Sequence, residues 1–182
     1  MSNDDENILA GFISESKILI EELLEKLENI EEMDDDVKSR QTKSSLLADC
    51  GNQVDRIMGG AQSMAMAIPE NKTLSLIGDM AQLCKAVCYR ASKVGDNVSL
   101  VKTAVALLLD VTEILENAVV ELERPTPTAA QVKFTPALIE RLRWFSSQFA
   151  QGISGTVDSK TKTGAPSMGQ SEIDDLLKKL GF

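Results

Sequence analysis

An all-α fold is what this sequence predicts: an antiparallel four-helix bundle with an additional short helix and a tethered C-terminal peptide helix. Apolar residues make up 43% of the chain but aromatics only 4%, so the core must be built from Leu, Ile, Val, Ala and Met, the usual filling of helical bundles. Four long stretches repeat their apolar residues at steps of three and four, the period of an amphipathic helix. Short breaks containing Gly, Pro, Asp or Asn separate them, and short connections join antiparallel neighbours.

From Asn7 to Ile30 the stripe reads Ile8, Leu9, Phe12, Ile13, Leu19, Ile20, Leu23, Leu24, Leu27 and Ile30, with Glu and Lys between, until Met33 to Asp36 ends it. The second helix runs from about Val37 to Ile68, where Pro69 stops it, on a stripe of Leu46, Leu47, Cys50, Val54, Ile57, Met58, Ala61, Ala65 and Ile68. Its Gly59-Gly60 pair costs roughly 1 kcal/mol per Gly relative to Ala, so something should be gained by the missing side chains. The third helix spans about Thr73 to Lys93 and the fourth about Asp96 to Glu123. Between them Gly95 suits a C′ position and Asp96 or Asn97 an N-cap, and Pro125 and Pro127 follow the fourth.

Thr135-Pro136 reads as an N-cap and first-turn pair opening a shorter helix to about Gln151, which holds Trp144, Phe145 and Phe149. Residues 151–170 are rich in Gly, Ser, Thr and Lys and read as a flexible tether. The last stretch, from Ser171 to Phe182, is a self-contained helix with a capping Ser, acidic residues in the first turn, lysines in the last and Gly181 after it. Ile173, Leu176, Leu177 and Leu180 form its one apolar stripe, which suits docking into a groove. The expected units are therefore a bundle over 1–124, a linker and aromatic-bearing helix over 125–150, a tether over 151–170 and a binding peptide over 171–182.

Composition excludes several chemistries. The 182 residues include no histidine, which removes histidine catalysis, histidine metal ligation and histidine phosphotransfer. Residues 1–36 hold thirteen acidic and two basic side chains, and the whole chain carries a net charge of −9, the wrong sign for displacing counterions from duplex nucleic acid. Cys50, Cys84 and Cys88 form an odd set without secretory context and read as free thiols in a cytoplasmic protein; Cys84 and Cys88 share a helix face but lack further ligands for zinc. The longest nearly uncharged apolar run, Thr103 to Leu109, is too short to span a bilayer, so no membrane is expected, and with no histidine and no further ligands beside the cysteines no bound metal is expected either. Met58, Met64 and Met66 read as core or near-core filler.

The terminal segment Q-S-E-I-D-D-L-L-K-K-L-G-F resembles the C-terminal tail of the chemotaxis phosphatase family CheZ, the peptide that grips the response regulator CheY, and has the flavour of the CheY-binding peptide of the flagellar switch protein FliM. The resemblance implies a phosphorylated CheY-like response regulator as partner, contacted through Ile173, Asp174, Asp175, Leu176, Leu177, Leu180 and Phe182. The CheZ family also carries Asp and Gln four residues apart on a bundle helix, and D-C-G-N-Q-V-D-R here offers Asp49, Gln53 and Arg56. Spacing of four places Asp49 and Gln53 on one helix face, displaced from the core stripe toward solvent, within reach of a docked partner.

By that resemblance the Gln53 amide positions the attacking water on the regulator's phospho-aspartate, and Asp49 pairs with the regulator's basic active-site residue. An amide suits this because it donates and accepts hydrogen bonds without changing charge. No cofactor is expected on this chain, since the Mg²⁺ sits in the partner's active site. Gly59 and Gly60 are read as letting the regulator approach closely, with tight helix packing at Gly60 as the competing account.

The segment Phe12 to Glu28 and the run R-I-M-G-G-A-Q-S-M-A from Arg56 to Ala65 also resemble a CheA-type histidine phosphotransfer domain. Gly59 stands in the histidine's place and Gln62 in a lysine's, so phosphotransfer is excluded and Gln62 becomes a rival amide. The alternative to a CheZ-like phosphatase is a non-catalytic response-regulator-binding adaptor derived from such a bundle. A homodimer is a further option.

Overall fold

The computed structural model describes residues 3–124, 127, 134–152 and 170–181, and every regular element among them is a helix. The helices are α1 (Asn3–Glu32), α2 (Val37–Ala67), α3 (Lys72–Lys93), α4 (Val98–Glu121), α5 (Pro136–Gly152) and α6 (Gln170–Lys179). Their starts follow local chemistry. The Asp36 side chain accepts the Ser39 N–H at 2.9 Å, Asn71 accepts that of Thr73 at 3.1 Å, Asn97 that of Leu100 at 3.1 Å and Thr135 that of Leu138 at 3.2 Å. Each satisfies a donor that a helix N-terminus leaves without an intrahelical acceptor. Gly181, at φ +90°, follows α6 in the left-handed region open to glycine.

The first four helices touch in a closed ring, α1 on α2, α2 on α3, α3 on α4 and α4 on α1, the arrangement of a four-helix bundle. Residue pairs across the seams give the directions. On α1–α2, Lys26 meets Gln53 and Glu15 meets Arg56; on α2–α3, Ser44 meets Ser92 and Asp55 meets Lys85; between α1 and α4, Lys17 meets Glu123 while Asp35, just past α1, meets Lys102. Numbering runs in opposite senses along each seam, so these neighbours are antiparallel.

The core is aliphatic, as the composition requires. Ile20, Leu23, Leu27 and Ile30 of α1 face Leu47, Val54 and Ile57 of α2, Leu74, Ile77, Met80 and Leu83 of α3, and Leu107, Leu108 and Leu115 of α4, all buried in one continuous cluster. Each such side chain contributes about 1.5–3 kcal/mol through burial. Cys50, Cys84 and Cys88 are free and buried there, and desolvation pushes the Cys50 thiol up to about 11 and Cys84 to about 12. Met66 departs from the expected core role: it is 77% exposed, because α2 turns it to the side opposite the core stripe.

At one end of the bundle Asp35 joins three segments. Its carboxylate accepts from Lys43 of α2 at 2.9 Å and from Lys102 of α4 at 2.6 Å, and these two cations hold it below the usual carboxylate range. Gly95 serves a nearby purpose different from a left-handed cap, since a Cβ there would lie 2.7 Å from Ser44 Oγ, whose hydroxyl donates to Ser92 O at 2.6 Å. The missing side chain lets the α3–α4 turn close onto α2.

The aromatic helix packs on its own chain. α5 lies on α4 and α6, and Phe134, Leu138, Leu142 and Phe145 are buried. Phe145 meets Phe149 edge-on at 5.0 Å, the Arg90 guanidinium stands 5.5 Å from the Phe149 ring centre, and Arg141 pairs with Asp110 of α4. α6 rests against α3 and α5. Of the expected tether, residues 153–169 lie outside the described residues. Among the described residues no helix is long and apolar enough to cross a membrane.

Candidate functional site

On α2, positions 53, 56 and 60 follow one another at steps of three and four and so share a flank. That flank faces α1. Gln53 is only 6% exposed, and its amide is occupied three ways: Nε2 donates to Leu19 O at 3.0 Å and to Glu22 Oε2 at 2.8 Å, and Oε1 accepts from Lys26 Nζ at 2.7 Å. An amide can make four hydrogen bonds, so one acceptor lone pair remains. Both N–H groups that could hold a water are committed to α1.

Arg56, one turn on, pairs with Glu15 at 2.6 Å, both side chains being exposed. At Gly60 a Cβ would lie 2.8 Å from the Phe12 ring, so this glycine admits an α1 aromatic. The expectation that Gln53 projects to solvent and that Gly60 admits a partner therefore needs correction. A quarter turn from the core stripe of a bundle helix is the boundary with the next helix, and here α1 covers it. Asp49 is exposed and takes no part in the Gln53 amide's hydrogen bonding. The structure thus brings Gln53, Arg56 and Gly60 together along the α1–α2 seam, with Asp49 outside the Gln53 network.

Gly59 belongs to a different surface. A Cβ there would meet nothing within 4 Å. Asn52, Asp55, Gly59, Gln62 and Met66 recur at steps of three and four along the outward side of α2, and all but the half-buried Asp55 are exposed. The strip is braced from α3: Tyr89 Oη donates to Asn52 Oδ1 at 2.6 Å, Lys85 pairs with Asp55, and the Gln62 stem crosses Gly78, where a Cβ would sit 3.3 Å from Gln62 Cγ. Tyr89 also lies over Gly51, 3.1 Å from the place of a Cβ, a close approach marked in the sequence only by the glycine itself. Gln62, the rival amide, is the one that faces solvent.

The two glycines should therefore answer oppositely to substitution. Gly59→Ala is expected to stabilise the fold by up to about 1 kcal/mol, and Gly60→Leu to destabilise it by about 1–3 kcal/mol through the clash with Phe12. Urea unfolding of the two variants checks this; equal effects at both positions would contradict the seam.

In α6, Ile173, Leu176 and Leu177 are buried against the protein's own helices and Leu180 is half-buried, while Asp175 is exposed beside Lys178 at 3.4 Å. The Asp174 side chain and Phe182 lie outside the described residues. Lys179 Nζ stands 4.0 Å from Asp79 of α3. Among the described residues no group of three or more Cys, Asp or Glu is placed to hold a metal ion. These features define the described residues as an all-helical bundle with an amphipathic helix, α6, folded onto it. Comparison with protein-family models, curated proteins and solved structures gives no match.

Proposed function

We propose that this chain binds a phosphorylated CheY-like response regulator, capturing it with α6 and presenting the outward strip of α2 around Gly59. The observation that carries the reading is α6: a ten-residue helix with a single apolar stripe, Ile173, Leu176 and Leu177, whose sequence resembles the CheY-binding tail of the CheZ family. The strip around Gly59 supports it, because a histidine-less phosphotransfer-type bundle should keep an open helix face where the histidine stood. On this reading the protein works in cytoplasmic chemotaxis signalling, and Mg²⁺ belongs to the regulator.

The geometry favours a non-catalytic adaptor over hydrolysis by Gln53, since that amide is occupied by Leu19, Glu22 and Lys26. A CheZ-like phosphatase is the second reading, and the solvent-facing Gln62 is the observation that favours it. In that case Gln62 supplies the amide that orients water on the regulator's phospho-aspartate.

Titration of the full chain with a CheY-like regulator activated by beryllofluoride and Mg²⁺ tests the binding. Binding is expected, and Asp175→Lys, which changes an exposed charge and leaves the buried stripe intact, should weaken it severalfold. Absence of binding would refute the proposal. Phosphate release from the phosphorylated regulator separates the two readings: no acceleration marks the adaptor, and acceleration lost in Gln62→Ala marks the phosphatase.

A further inference from the structure

We propose that α6 is held in check by its own bundle, so that the regulator must displace it from α3 and α5 before taking it. This rests on the regulator-binding reading and adds its regulation. Leu176 and Leu177 follow Ile173 by three and four residues and share its face of α6; all three are buried in the free chain, with Leu180 half-buried beyond them. A partner helix groove needs that same face. One stripe cannot lie in two grooves, so cis docking and capture exclude each other.

The cis groove has two walls of different kinds. α5 brings an apolar surface that includes Leu138, Leu142 and Phe145, buried members of the same cluster as the α6 stripe. α3 contributes Asp79, whose carboxylate stands 4.0 Å from Lys179 Nζ with both groups partly exposed. Packing therefore supplies most of what holds α6, and the ion pair, open to solvent, adds a smaller share that charge reversal would turn into repulsion. A bound fraction held in cis lowers the apparent affinity for a competitor in proportion to the free fraction. If nine-tenths or more of the chains hold α6 closed, the loss is roughly tenfold or greater.

This also assigns a role to α5. Without it α6 would have α3 alone to rest on, and a single helix flank covers less of the stripe than the angle between two helices. The aromatic helix is then the second jaw of an internal clamp.

Hydrogen exchange and binding on the full chain test the inference. A ten-residue helix is marginal in water, so the isolated peptide 170–182 should exchange as an open chain. In the full chain the amides of 173–180 are expected to exchange at least about tenfold more slowly. Because the α2 strip adds contacts that the isolated peptide lacks, regulator affinity is compared between full chains, wild type against Asp79→Lys. Asp79→Lys sets a like charge opposite Lys179 without touching the core; it should shift the two readouts in opposite senses, less protection of α6 and tighter regulator binding. Unprotected α6 amides in the full chain, or an Asp79→Lys chain that loses α6 protection without binding the regulator more tightly, would overturn the inference while leaving regulator binding in place. A regulator that binds neither peptide nor chain overturns both, and α6 protection then reports only a structural helix.

Discussion

Gln53→Ala should unfold about 1–3 kcal/mol more easily than the wild-type chain and leave the lifetime of a regulator's phospho-aspartate unchanged. The expectation follows from where the amide's hydrogen bonds go. In the native seam it joins Lys26, Glu22 and the Leu19 carbonyl, at 2.7, 2.8 and 3.0 Å. Removing it strips a partner from two charged groups at a part-buried boundary and opens a gap between α1 and α2. Hydrogen bonds to charged groups contribute about 1.5–3 kcal/mol each, but Glu22 is exposed and Lys26 half-exposed, so both can recover water and only part of that is lost. A water-orienting residue would behave in the reverse manner, with stability hardly altered and phosphate release slowed. Urea unfolding followed by helical circular dichroism, together with a phosphate-release assay, reads both quantities. Accelerated release by the wild-type chain that disappears in a fully stable Gln53→Ala protein would restore Gln53 as the catalytic amide.

The contrast between Gln53 and Gln62 marks where sequence reading stops. Helices were legible because each is written locally: apolar residues at three- and four-residue steps, Asn97 at the start of the fourth, and Pro69 or Gly95 near the ends; the caps at Asp36 and Asn71 emerge only in the structure. Burial of the three cysteines was legible as well, since all lie on apolar stripes. Which flank of α2 another helix covers is not local. It depends on the angle at which α1 approaches, and no residue of α2 states that angle. Gly59 and Gly60 show the difficulty in its sharpest form, because identical neighbours in sequence fall on opposite sides of the boundary, one in open solvent and one beneath Phe12.

Amphipathicity has the same limit. The stripe of α6 declares that it must be covered, and the sequence leaves open whether by a partner or by its own chain. The structure supplies a cover in α3 and α5. That cover does not replace the resemblance to a regulator-binding tail; it supplies an equilibrium in which such a tail would have to compete. The candidate site is thereby divided into α6, whose buried face needs a partner to be exposed, and the strip around Gly59, which is already open.

Phe145→Ala should cost about 3–5 kcal/mol and should lower the stability of the whole molecule rather than of α5 alone. Among the described residues Phe145 is the largest fully buried side chain, it packs edge-on against Phe149 at 5.0 Å, and Arg90 of α3 stands over that second ring at 5.5 Å. The aromatic pair thus ties α5 to the bundle through Arg90 of α3, and the ion pair between Arg141 and Asp110 ties it to α4. The chain's single tryptophan makes the cooperativity measurable: Trp144 sits next to Phe145 and is 48% exposed, so its fluorescence reports α5, whereas circular dichroism is dominated by the four long helices. Two-state coupling requires the two signals to share one midpoint. Both midpoints are expected to coincide in the wild type and to fall together in Phe145→Ala. A tryptophan transition that moves alone, with the helical transition unshifted, would mean that α5 and the α6 it clamps form a separately melting layer. The free fraction of α6 would then be governed by that layer's own stability, and capture of a regulator would respond to temperature long before the bundle did.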